Sequence, residues 1–235
     1  MRTVCFQISI LFYLIFSAPA SGNEIPLIVI DAGHGGKDPG SISPHNGVTE
    51  KAITLSIAKK LNIYLNESNI VRAKLVRADD RYLSLVARRN VAVRSKANLF
   101  VSIHIDSAAR KSANGASAYI LSEGSATVVH ARALAKRRHI HPIAKQMELR
   151  AYRNIAASVA SDMLKNINQL KAVHDITPKK AGFAVLKMQG VPSILVELGF
   201  LSNKKDSLLL RQPSYQNQIV LSLGKAILQN FKQKN

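Results

Sequence analysis

A chain of 235 residues with 33 Lys and Arg against 14 Asp and Glu, a formal net charge of +19, is long enough to bury one sizeable core and basic enough to seek polyanions. Its one cysteine, Cys5, lies in the first apolar stretch, so neither cysteine chemistry nor a disulfide framework is available once that stretch is removed. No internal repeat and no Pro/Gly/Ser-rich linker divides the chain, which favours a single domain.

The first residues read as an export signal. Arg2 supplies the positive start, Val4 to Ser17 the apolar run, and Ala18-Pro19-Ala20 the small residues of a cleavage site. The run is shorter than the roughly 20 residues that span a bilayer, so removal of residues 1–20 is favoured over retention as an anchor. A single domain over 21–235 is expected, exported to the periplasm, with no stable membrane insertion and no nucleic acid as partner. Loss of Arg2 lowers the net charge by one, and an exported basic protein meets wall carboxylates, anionic lipid and anionic glycans first.

Leu27 to Ile30 is a β-branched apolar run opening into a Gly-rich loop, the pattern of a buried parallel strand. Thr49 is a candidate N-cap. From Glu50 to about Leu65, apolar residues recur at Ile53, Ile57, Leu61 and Leu65, which predicts an amphipathic helix. A strand near Ala73 to Val76 follows, then a helix from Leu83 to Ser95 with Arg88, Arg89 and Arg94 on its wet side, then strands at Leu99 to Ile105 and Ala116 to Leu121. Residues from Glu123 to about Leu170 are helical in composition and break at His141-Pro142. Ala184 to Leu186 and Ser193 to Leu198 are strand candidates, and Tyr215 to Phe231 closes the chain as a helix. Strands alternating with helices imply a largely parallel α/β sheet covered on both faces, whose sites sit at the carboxyl ends of strands.

His34, His104 and Glu197 fall at such ends, and Glu50 begins the first helix. Two imidazoles and a carboxylate suit a catalytic zinc ion with one position left open for water. A second carboxylate that does not ligate can take a proton from the attacking water and return it to the leaving group. Glu197 interrupts Ile194-Leu195-Val196 and Leu198, where an ionised group is costly unless paired with a cation or a metal. His45, His130, His139, His141 and His174 have no ligand-like context.

At these residues the chain resembles a known family. Asp31 to Gly40 (DAGHGGKDPG), Ser102-Ile103-His104-Ile105-Asp106, and Val196 to Asn203 (VELGFLSN) are similar to the signature blocks of the zinc-dependent N-acetylmuramoyl-L-alanine amidases of the amidase_3 type, which are cell-wall hydrolases. The likeness spans nearly all of the chain after the leader. It implies a three-layer αβα sandwich with a six-stranded, largely parallel sheet, and hydrolysis of the amide joining N-acetylmuramic acid to L-alanine in peptidoglycan. By position it assigns one zinc ion to His34, Glu50 and His104 and general-base catalysis to Glu197. Gly35 and Gly36 are expected to let the backbone approach metal or substrate. Ile105 and Asn98 depart from the family's usual Ala and Asp, and neither is a ligand.

Some members that act in cell division carry an insert between the fourth strand and the following helix that covers the zinc until an activator protein binds. Here the corresponding segment, 123–150, is rich in Lys136, Arg137, Arg138, His139 and His141. A regulatory role gives Glu123 or Glu148 as a carboxylate for the open metal position, entering from the rim near His104; a solvated basic face is the plainer reading. Three competing functions remain open: a wall carboxypeptidase, told apart by release of D-alanine; a binder that kept the fold, which requires a missing ligand; and a nucleic-acid binder, opposed by the export signal and the lack of an aromatic stacking run. A monomer is expected.

Overall fold

The computed structural model describes residues 24–125, 142–170 and 175–232. The leader, the Lys136 to Arg138 cluster, His130, His139, His141 and His174 lie outside these residues.

The elements follow in the order β1 (Leu27–Ala32), α1 (Glu50–Asn66), β2 (Arg72–Leu75), α2 (Leu85–Arg94), β3 (Leu99–Asp106), β4 (Ser117–Leu121), α3 (Pro142–Asn168), β5 (Lys179–Ala181), a 3-10 turn at Ala184–Leu186, β6 (Ser193–Phe200), α4 (Lys204–Leu210) and α5 (Pro213–Phe231). The six strands form one sheet in the order β2-β1-β3-β6-β4-β5. β1 pairs in parallel with β2 and β3, and β3 with β6. β4 runs antiparallel to β6 and parallel to β5.

The apolar runs divide between two layers by the two-residue period of a strand. Ile28, Ile30, Val101, Ile103, Ile194 and Val196 point to one face, where Ile57 and Leu61 of α1, Val159 and Met163 of α3, and Leu223 and Ile227 of α5 cover them. Val29, Phe100 and Leu195 point to the other, against Ala92 of α2 and Val185 and Leu186 of the 3-10 turn. Helices on both faces make the three-layer αβα sandwich that the alternation implies.

The structure differs from the sequence reading at several places. Ala184 to Leu186 closes a 3-10 turn instead of a strand, and the strand beside β4 is Lys179–Ala181. α4, capped by the Asn203 side chain accepting from Asp206 N–H, follows β6. α2 starts later than expected because Ser84 accepts the Ala87 N–H. Thr49 holds the N-cap position of α1 with no side-chain bond to the helix. Arg88 is 3 % exposed and faces inward.

The reversal of β4 decides where the segment after it begins. Ser117 pairs with Glu197, whereas Ile120 pairs with Ile194, so β4 leads away from the His104 end of the sheet. Glu123 follows at the opposite end and pairs with Arg153 of α3 at 2.7 Å. Leu149 of α3 packs there too, beside Leu121 and Ser193. The expected entry at the rim near His104 is therefore not what β4 produces.

Candidate metal centre

Three loops converge at the carboxyl ends of β1, β3 and β6. Parallel pairing puts His104 beside Glu197 across β3 and β6, and Ala32 beside Ile103 across β1 and β3. β1 runs into the glycine loop that carries His34, and the first residue of α1 brings Glu50 under it. One nitrogen or oxygen from each of His34, Glu50 and His104 lies within 4.8 Å of the others, a group able to hold a metal ion.

Glu50 Oε1 sits 3.1 Å from His34 Nε2 and 2.9 Å from His104 Nδ1, and it accepts the Ile105 N–H at 3.0 Å. Glu50 Oε2 accepts the Ser41 N–H at 2.9 Å. Burial pushes this carboxyl up, but the hydrogen bonds from His104 and His34 outweigh it and hold Glu50 well below the usual carboxylate range. His34 donates from Nδ1 to Asp38 at 2.8 Å, which turns Nε2 toward Glu50. Asp38 thus orients a candidate ligand as second carboxylates do behind ligating imidazoles. Sequence reasoning missed it, although the spacing of four within the glycine loop was a usable signal.

The glycines that this centre requires are Gly33 and Gly40, not Gly35 and Gly36. A Cβ on Gly33 would stand 2.5 Å from the His104 ring, and one on Gly40 would stand 2.6 Å from Glu50 Oε2. Gly35 and Gly36 have φ of 129° and 58°, and a Cβ on either would strike the backbone at Arg81 or Tyr82. They shape a turn against the 81–82 loop.

Glu197 behaves in the opposite way to Glu50. Its Oε2 is buried with no hydrogen-bond partner. Burial, with the like charges of Glu50 and Asp106, pushes its carboxyl up to about 8. An open cleft of about 480 Å³ runs over the centre, lined by His34, Asp38, Glu50, His104, Asp106 and Glu197 among others. Glu123 and Glu148 do not line it. Glu123 is engaged with Arg153, and Glu148 accepts from the Tyr152 hydroxyl at 2.5 Å.

A two-histidine, one-carboxylate group at the strand ends of an αβα sandwich, with a buried carboxyl oxygen left unpartnered beside it, is the arrangement of a hydrolase with a candidate metal centre. The family model for N-acetylmuramoyl-L-alanine amidase matches residues 28–229, and the chain belongs to that family. It is 31% identical over 222 residues to the N-acetylmuramoyl-L-alanine amidase AmiA of Salmonella typhimurium, an alignment covering 87% of this chain and 76% of the relative. Among solved structures it is similar to the amidase AmiC2 of Nostoc punctiforme at 31% identity and TM-score 0.66, covering 90% of this chain and 100% of that one. The catalytic domain of CwlV from Bacillus (Paenibacillus) polymyxa var. colistinus is similar at 27% identity and TM-score 0.68, covering 87% and 97%.

Proposed function

We propose that the chain, an N-acetylmuramoyl-L-alanine amidase by family, works on peptidoglycan outside the cytoplasm with one zinc ion held by His34, Glu50 and His104 and with Glu197 as general base. The observation that carries this reading is the contrast between two glutamates in one cleft: Glu50 accepts from both histidines and from two backbone amides, which favours its ionised form, while Glu197 beside it has a buried oxygen without a hydrogen-bond partner and is pushed toward its protonated form by burial and like charge. Paired titratable groups driven apart by their surroundings are the usual mark of divided acid and base roles.

The donor set fits zinc, since imidazole nitrogens and a carboxylate oxygen are its ordinary ligands and the Gly33 and Gly40 backbones leave room for them. When bound, such an ion polarises the scissile carbonyl and lowers the pKa of water. With a cation held there, Glu197 would be favoured in its ionised form. Glu197 then accepts a proton from the attacking water and passes it to the leaving nitrogen of L-alanine. Asp38 keeps the His34 ring from rotating, and the open cleft admits a glycan strand with its stem peptide. Cleavage there frees the amino group of L-alanine and leaves the lactyl carboxylate on the sugar, the chemistry of wall remodelling or daughter-cell separation.

The decisive measurement is mass spectrometry of muropeptides digested with the purified protein, with and without chelator. Stem peptides with a new L-alanine amino terminus are expected, and none with chelator present. Release of D-alanine, or undiminished cleavage by metal-free protein, would overturn the proposal. In parallel, Glu197→Gln should keep its zinc while turnover falls roughly a hundredfold or more; a zinc-free Glu197→Gln protein would make this glutamate a ligand instead.

A further inference from the structure

Two buried guanidiniums lie behind the loop that carries His34, and neither is explained by the chemistry above. Arg77 is 1 % exposed and Arg88 3 %. The loop parts from β3 after the Gly33 N–H donates to Ile103 O at 3.0 Å. From there the two arginines take up the carbonyls. Arg88 donates from Nη1 to Ala32 O at 2.7 Å and from Nη2 to His34 O at 2.6 Å. Arg77 donates from Nε to Ala32 O at 2.9 Å and from Nη2 to Gly33 O at 2.8 Å. Three consecutive carbonyls, ending on His34 itself, are held by two planar forks.

The far ends of both forks are fixed as well. Arg88 pairs with Asp31 Oδ1 at 2.7 Å and donates from Nε to Leu83 O at 3.0 Å, and Ser102 donates to the other Asp31 oxygen at 2.9 Å. Arg77 reaches Asp79 O at 3.0 Å and Lys51 O at 3.1 Å, which ties the loop to the start of α1 next to Glu50. His34 has φ of 60°, a left-handed backbone that a non-glycine residue keeps only when its surroundings impose it.

Stability alone is a poor reason for this arrangement. Two like charges lie near one buried carboxylate, Asp31, which is paired with Arg88, and burial followed by the neighbouring Arg88 charge holds Arg77 below its ordinary value. Desolvation offsets much of what a buried ion pair gains, so an apolar cluster of equal volume would hold the layers together as well. What the guanidiniums supply, and a hydrocarbon or an ammonium cannot, is several donors in one rigid plane.

We propose that Arg88, braced by Asp31 and Arg77, is a positioning residue that locks the His34 backbone in its left-handed conformation so that the imidazole presents Nε2 to the metal. This rests on the zinc reading of the site. Lysine in place of either arginine keeps the charge but delivers a single compact ammonium, so His34 loses its fixed direction while the fold keeps its core.

The test measures zinc affinity, by competition with a chromophoric chelator, for the wild-type protein and for Arg88→Lys, Arg77→Lys and Arg89→Lys. Arg89 lies on the same helix and donates outward to Ala184 O, so it serves as control. Thermal unfolding of each metal-free protein reports the fold separately. We expect Arg88→Lys and Arg77→Lys to bind zinc about 10 to 100 times more weakly, the range for partners that orient a ligand, with Arg89→Lys unchanged. A lowered unfolding midpoint with wild-type zinc affinity would make the pair structural and overturn the proposal. So would failure of both variants to fold, or an equal loss in Arg89→Lys. Wild-type protein with no zinc affinity would instead bring down the metal reading, and the latch with it.

Discussion

At the scale of single residues, the two glutamates of the cleft show how surroundings divide one chemistry into two. Glu50 receives hydrogen bonds from both histidines and two backbone amides, and Glu197 faces like charge with an oxygen unpartnered. The shift on Glu197 has a consequence for stability that needs no substrate. In the metal-free fold it holds its proton to about pH 8, while in the unfolded chain it releases it near 4.5. Between those values the folded state binds more protons, so the stability contributed is full below 4.5 and is lost as pH rises through about 8. Metal-free wild type should therefore lose thermal stability relative to Glu197→Gln between pH 5 and 9, by about 2–4 °C for each kcal/mol of difference. Parallel pH profiles for the two proteins would contradict this. His34, Glu50, His104 and Glu197 were legible because each stands at the end of an apolar run or the start of an amphipathic one. Arg77 and Arg88 were not: the one stands in the loop after β2 and the other on a short helix, places where a basic residue reads as solvated, and only the fold shows the carbonyls that make their burial tolerable.

At the scale of elements, β1, β3 and α1 were readable from continuous or four-spaced apolar residues, and β5 was hidden. Lys179-Lys180-Ala181 has no apolar pattern and is a strand only because β4 offers it a ladder. The same reversal of β4 bears on the segment that follows. Its described flanks, Glu123 and the Leu149 turn of α3, lie at the end of the sheet away from His104. Sixteen residues, 126–141, join those flanks. Replacing 126–141 by a short Gly/Ser loop is thus expected to leave the basal release of dyed peptidoglycan fragments within about twofold of the intact protein. A clear rise, from a folded and zinc-loaded variant, would establish restraint of the site by this segment, and Glu123 and Glu148 would then be the residues to substitute.

At the scale of the whole molecule, charge and topology act separately. Among the described residues no helix is long and apolar enough to cross a membrane. A net charge of +19 over the chain favours polyanions in general and selects no bond to cut. Binding to isolated sacculi should weaken severalfold as salt rises from low ionic strength to about 0.3 M, because exposed charges are screened beyond about 10 Å already at 0.1 M. Binding that ignores salt would show instead that a specific pocket, and not the diffuse charge, holds the protein to the wall.

The strand order divides the site along the chain. His34, Glu50 and His104 all lie within the β1 to β3 stretch, whose parallel pairings join Leu27 to Arg72 and Ile28 to Leu99. Glu197 arrives only when β6 docks against β3, joining Phe100 to Ser193 across more than ninety residues. The three proposed ligands thus come from the first half of the chain and the proposed general base from its last strand, so the centre is complete only in a chain whose β6 has paired with β3.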